Sequence, residues 1–142
     1  MIDSMDPSIP LVPHQPPMRL IDAVLEAGSE HCTALARVDP QAWYADPDGA
    51  MPAWFGLELM AQAIAAYGGL HKRAQGGEPR TGYLLGTRAY TCSRPSFPPG
   101  CELRIHAKLK YLDDSGLSAF ACAITLDGEE VASAILKTFE GE

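Results

Sequence analysis

Hydrophobic and polar positions alternate along several stretches of the chain, and one long stretch abandons the alternation. Residues 31–38 (H-C-T-A-L-A-R-V) alternate as a half-buried strand does. Residues 18–25 read as a strand before it, with E-A-G-S-E as the turn between them. Four further strand-like segments follow at 82–94, 102–112, 117–126 and 130–139, broken by S-F-P-P-G, D-D-S-G and D-G. The last break, Leu126-Asp127-Gly128-Glu129, is a tight-hairpin signal. Between the two groups lies a run of almost purely apolar residues, too long for a strand. Proline suits the first turn of a helix and Gly76-Gly77 suits its end, so the pattern predicts a helix over 52–74. A helix that is apolar on nearly every side must be surrounded by other structure.

The order is therefore strand, strand, long buried helix, four strands. Strands in runs beside a single helix define an α+β domain with an antiparallel sheet. A sheet wrapped around one long central helix is the hotdog architecture, and that is the fold expected here. At 142 residues the chain fits a single domain spanning 1–142, large enough to bury a core. Residues 1–17 hold five of the twelve prolines (Pro7, Pro10, Pro13, Pro16, Pro17) and read as an extended N-terminal arm.

Composition narrows the function by exclusion. Charged residues make up 20% and hydrophobic ones 46%, an ordinary globular balance. A net charge of −7, with no basic cluster interleaved with aromatics, argues against nucleic acid and against an anionic membrane surface. The N-terminus has no basic region followed by an apolar one, so it does not read as a signal peptide. The stretch from Trp54 to Leu70 is as long as a membrane span, but it carries Glu58 and Gln62 and is rich in Ala and Gly. It reads as a core helix, and no membrane insertion is expected. The four cysteines are widely spaced and the four histidines make no ligand pattern, so no metal is expected. The thiols read as reduced and the protein as cytoplasmic; pairing of Cys92 with Cys101 is conceivable.

Beside the phenol of Tyr67, the polar side chains from Pro52 to Leu70 are Glu58 and Gln62. Four residues apart, they stack on one helix face. Glu58 has Trp54, Phe55, Leu57, Leu59 and Met60 as sequence neighbours, so its carboxylate should be partly desolvated, which suits a proton donor. A glutamate early in a helix is also favoured by the helix dipole alone. The all-apolar surroundings are what point to chemistry.

Two segments resemble the 3-hydroxyacyl-acyl-carrier-protein dehydratases of fatty-acid synthesis. V-P-H-Q-P-P-M-R-L-I-D (Val12 to Asp22) is similar to that family's L-P-H-R-x-P-F-L-L-V-D. P-A-W-F-G-L-E-L-M-A-Q (Pro52 to Gln62) is similar to its P-G-x-x-x-x-E-A-M-A-Q. The variants look closest to the dehydratase-like subunits of aryl-polyene and related polyketide clusters. The resemblance implies a hotdog dimer that removes water from 3-hydroxyacyl thioesters carried on the phosphopantetheine of acyl carrier protein or coenzyme A, without a cofactor. It gives Glu58 the role of positioning and protonating the departing hydroxyl. It makes Pro52, Ala53, Trp54, Phe55, Gly56 and Gln62 the substrate pocket, with backbone N–H groups at the helix start facing the thioester carbonyl.

The chain departs from that family at its base. The family histidine lies in G-H-F-P-G, fourteen residues before the carboxylate, and here that position is Tyr44, in Q-A-W-Y-A-D-P-D-G. Tyr44 is a pocket candidate and a poor base, given a phenol pKa of about 10. Three replacements are open: His14 acting across a dimer interface, Asp46 or Asp48 before the helix, or a group from a homologous partner subunit. His14 could equally pack and hydrogen-bond the arm, and Asp46 and Asp48 read more simply as turn formers. His31 and His106 read as half-exposed sheet residues, and His71 as a helix-end residue. Arg88 and Arg94 are candidates for contact with an acidic carrier protein. Two alternatives stand beside the dehydratase: a hotdog acyl thioesterase, and a noncatalytic partner subunit of a heteromeric dehydratase, homodimer or heterodimer being open.

Overall fold

The computed structural model describes residues 18–74 and 82–140. In chain order the elements are β1 (Ala23–Ala27), β2 (His31–Arg37), β3 (Met51–Pro52), α1 (Phe55–Ala74), β4 (Gly82–Cys92), β5 (Ser96–Phe97), β6 (Glu102–Leu112), β7 (Leu117–Leu126) and β8 (Glu129–Glu140). Six strands form one antiparallel sheet in the order β1-β2-β6-β7-β8-β4. The helix lies chiefly across β2, β6 and β7. This is the α+β hotdog arrangement expected from the pattern. The arm at 1–17, with His14, and the Gly76-Gly77 helix end lie outside the described residues.

Alternation decides which strand face meets the helix. Cys32, Ala34 and Ala36 of β2, Leu103, Ile105 and Ala107 of β6, and Phe120, Cys122 and Ile124 of β7 are buried, while their neighbours in sequence point outward. Against them α1 places Leu59, Met60, Ala63 and Ala66, all fully buried. The small residues on both sides let helix and sheet approach closely. Each buried Leu or Ile contributes about 1.5–3 kcal/mol. The helix face carrying Leu57, Ala61 and Ala65 is only half-buried. All four cysteines are free, so Cys92 and Cys101 are not paired. Burial pushes the thiols of Cys32 and Cys122 up to about 12, where they stay protonated.

Two of the boundaries that differ from the sequence expectation do so for a reason of hydrogen bonding. The helix begins at Phe55 because Met51–Pro52 pairs with Ser96–Phe97 instead, and the Ala53 N–H is donated to Pro95 O at 3.0 Å. Residues 18–22 precede β1 because the backbone N–H groups of Leu20 and Ile21 bond a helix side chain rather than a neighbouring strand. The Asp127-Gly128 hairpin is as expected: φ is 53° and 82° at its two central residues, the left-handed pair that such a turn requires.

One strand carries a strained residue. Between Arg88 and Thr91 the register of β4 against β8 shifts, and Ala89 within that bulge has φ 55°. A bulge re-aims the side chains beside it. Next to it, the Tyr90 hydroxyl donates to Ala53 O at 2.6 Å, just ahead of the helix. Burial pushes that phenol far above its ordinary value, so it remains a donor. A Cβ at Gly56 would collide with the Tyr90 hydroxyl oxygen, which is why glycine stands in the first turn.

Candidate functional site

Glu58 sits in the first turn of α1 and faces an open cleft of about 330 Å³ lined by Met18, Leu20, Trp43, Trp54, Phe55, Leu57 and Glu58 itself. The lining is apolar except for this carboxylate. Three of its members are well exposed: Trp54 at 69%, Met18 at 54% and Trp43 at 53%. Phe55 is the hub of the aromatic wall, with ring centroids 5.5 Å from Trp43, 5.7 Å from Tyr44 and 6.0 Å from Trp54.

Gln62, one turn further along, is fully buried. Its Nε2 donates to Glu58 Oε2 at 2.7 Å and to Met18 O at 2.8 Å. Its Oε1 accepts from Leu20 N at 2.7 Å and Ile21 N at 3.3 Å. The sequence expectation made Gln62 part of the pocket lining; it lies instead behind Glu58, out of the cleft.

The other expected site residues divide. Trp54 and Phe55 line the cleft. Pro52 belongs to β3 and is buried, and Gly56 is buried beneath Tyr90. At the helix start the Ala53 N–H goes to Pro95 O and the Gly56 N–H to Ala53 O at 2.9 Å. The amides of Trp54 and Phe55 make no such backbone bond among the described residues. Tyr44, at the family's histidine position, is buried in the core cluster, and its hydroxyl accepts the Asp39 N–H at 2.8 Å. Burial raises its pKa, so it cannot work as a base near neutrality. Asp46 is a turn former: its Oδ1 accepts Asp48 N at 2.9 Å and Ala50 N at 3.0 Å.

His31 and His106 have ordinary structural surroundings. His31 meets Glu26 at 3.0 Å on the exposed β1–β2 hairpin. His106 is held between Thr33 Oγ1 at 3.1 Å and Thr125 Oγ1 at 3.2 Å. Burial, with Arg104 adding to it, lowers the His106 pKa and keeps it neutral. Among the described residues no three potential ligands gather as a metal site, and no helix is long and apolar enough to cross a membrane.

An antiparallel sheet packed on one central helix, with a helix-borne glutamate at an apolar cleft, places the chain in the hotdog class. Comparison makes this particular: the model of the ApeP-like family, described as ApeP dehydratase, matches residues 7–142, and the chain belongs to that family. Among solved structures it is similar to the dehydratase heterocomplex ApeI:P from Xenorhabdus doucetiae, with 29% identity over 93% of this chain and 89% of that one, and a TM-score of 0.88. The fold is shared more distantly with PaaI from the phenylacetic acid degradation operon of Escherichia coli (12% identity, 86% and 80% covered, TM-score 0.67). It is also shared with a hypothetical thioesterase from Streptococcus pneumoniae solved with coenzyme A (16%, 83% and 84%, TM-score 0.63). No curated protein matches the chain.

Proposed function

We propose that this chain is the glutamate-bearing subunit of a heteromeric hotdog dehydratase, acting on 3-hydroxyacyl thioesters carried by acyl carrier protein or coenzyme A. The observation that carries this reading is the pairing of a held carboxylate with a disabled base position. Glu58 faces the cleft in the grip of Gln62, while Tyr44 is buried with its hydroxyl turned to the Asp39 backbone. The similarity to a dehydratase heterocomplex supports a homologous hotdog chain as the source of the base. The exposed Met18, Trp43 and Trp54 at the cleft rim are apolar surface of the kind a partner covers.

In the reaction a base on the partner takes the proton from Cα, and the electron pair forms the Cα–Cβ double bond. The Cβ–O bond breaks as Glu58 delivers its proton to the departing hydroxyl, which leaves as water. The Trp54 and Phe55 amides, at the positive end of the helix dipole, face the thioester oxygen as it gains charge. This elimination neither oxidises nor reduces the acyl chain and calls for no cofactor. After one turnover the proton taken by the base returns to Glu58 through solvent.

The test is reconstitution. The chain alone should give no enoyl product from a 3-hydroxyacyl-ACP, the chain mixed with its homologous hotdog partner should give it, and Glu58→Gln in the mixture should lower turnover at least about 100-fold. Full turnover by the Glu58→Gln complex would falsify the assignment. His14→Ala should leave the complex active; loss of activity there would make His14 the base. Free thiol released without enoyl product would place the chain with the thioesterases.

A further inference from the structure

We infer that Tyr90 is a positioning residue: its hydroxyl, brought to the helix side by the bulge in β4, fixes the Ala53–Trp54 peptide and so aims the Trp54 N–H at the thioester oxygen. The inference rests on the dehydration reading, in which that amide faces the oxygen.

Alternation alone would send Tyr90 the other way. Thr87 stands opposite the buried Leu136, and successive strand residues point to opposite faces. Three positions on, Tyr90 would lie on the outer face. The ladder, however, resumes only at Thr91 opposite Ser133, and their hydroxyls meet at 3.2 Å. Ala89 and Tyr90 together therefore oppose one residue, the buried Ala134. Ala89 takes the exposed place with φ 55°, and Tyr90 takes the inward one. A matching concession stands across from it. Gly56 lies in the first turn of α1, where glycine is a poor helix former, and a Cβ there would collide with the Tyr90 hydroxyl. A strained alanine and a helix glycine thus both make room for one hydroxyl beside the cleft, and stored strain of this kind gathers at functional sites.

That hydroxyl acts on a planar unit. Ala53 O accepts from Tyr90 Oη at 2.6 Å and from Gly56 N at 2.9 Å, while the Ala53 N–H is donated to Pro95 O at 3.0 Å. In a trans peptide the carbonyl of one residue and the N–H of the next point in opposite directions and turn together. Fixing Ala53 O therefore fixes the N–H of Trp54, a residue that lines the cleft. The Trp54 N–H makes no backbone bond of its own among the described residues, so its direction comes from the carbonyl end of its peptide. A bond donated to that carbonyl also polarises the peptide and strengthens the N–H as a donor. Burial keeps the phenol protonated, so the donation persists.

The test uses the full chain assembled with its homologous partner. Tyr90→Phe keeps the ring and removes the hydroxyl. We expect kcat for 3-hydroxyacyl-ACP dehydration to fall about 10-fold with KM within about twofold, because the aimed amide meets charge that develops in the transition state. Unchanged kcat overturns the proposal. A loosened fold could also slow turnover, so a second measurement reads the carbonyl itself. In the Glu58→Gln complex, loaded with a 3-hydroxyacyl-ACP isotopically labelled at the thioester carbonyl, the infrared C=O stretch should lie below that of the free thioester. Adding Tyr90→Phe should return part of that shift. A stretch that does not move on this addition overturns the proposal even where kcat has fallen. The Glu58→Gln complex also separates the two failures. Full turnover there removes the acid and the reading beneath the proposal, whereas loss there beside an unaffected Tyr90→Phe complex removes only the positioning.

Discussion

Two carboxylates flank the start of the helix, and they are held in opposite ways. Asp46 accepts from the backbone amides of Asp48 and Ala50, two and four residues away, and its work is finished inside its own turn. Glu58 is gripped through Oε2 by a side chain whose other bonds reach residues 41 to 44 positions distant. A carboxylate satisfied by local amides is a folding device. One held by a buried side chain at the edge of a cleft is oriented toward something outside the chain.

The sharpest way to break this contrast is to exchange the two losses. Glu58→Gln should lower dehydration by the reconstituted complex at least about 100-fold and hardly move the unfolding midpoint. Asp46→Ala should do the reverse, costing about 1 kcal/mol in denaturant titration with turnover within a few-fold. If Asp46→Ala proves as inactive as Glu58→Gln, the division between them is wrong.

A second experiment disturbs the frame of Glu58 without touching Asp46. Gly56→Ala forces a methyl group against the Tyr90 hydroxyl and should cost about 1–3 kcal/mol. Tyr90→Phe removes the obstructing oxygen along with its bond to Ala53 O. Gly56→Ala should therefore cost clearly less in the Tyr90→Phe background. Equal costs in both backgrounds would mean that the helix start is set by something other than this contact.

The smallest effect belongs to a third polar cluster, on the outer sheet face. His106 is kept neutral by burial, so its folded pKa lies below the ordinary value of 6.5. Below that value the unfolded chain binds a proton that the folded chain does not, and stability falls as pH drops through this window. His106→Gln should flatten the fall between pH 7.5 and 5.5, as read from denaturation midpoints, while leaving turnover unchanged. An identical slope in the variant would exclude His106 as its source.

The strands were legible because one face of each is wet and one dry: 102–112 and 117–126 begin and end where the alternation does. The helix was legible from its apolar run, but its start was not. Proline favours a first helical turn, and here a two-residue pairing with Ser96–Phe97, too short to leave a pattern, claims Pro52 first. Glu58 stood out by its chemistry. The role of Gln62 was half visible: its spacing from Glu58 is a property of any helix, whereas its bonds to Met18, Leu20 and Ile21 depend on how the chain folds back. Likewise the family position pointed to Tyr44, but only the folded chain shows its hydroxyl turned to Asp39.

The chain contains two tryptophans, Trp43 and Trp54, and both stand exposed on the rim of the same cleft. Its intrinsic fluorescence is therefore an optical signal of one place in the molecule. The free chain should emit at the red wavelengths of hydrated indole. Docking of a second subunit, or entry of an acyl chain, should move the emission to the blue without any added label. Trp43→Phe and Trp54→Phe would divide that signal between the two indoles of the aromatic wall.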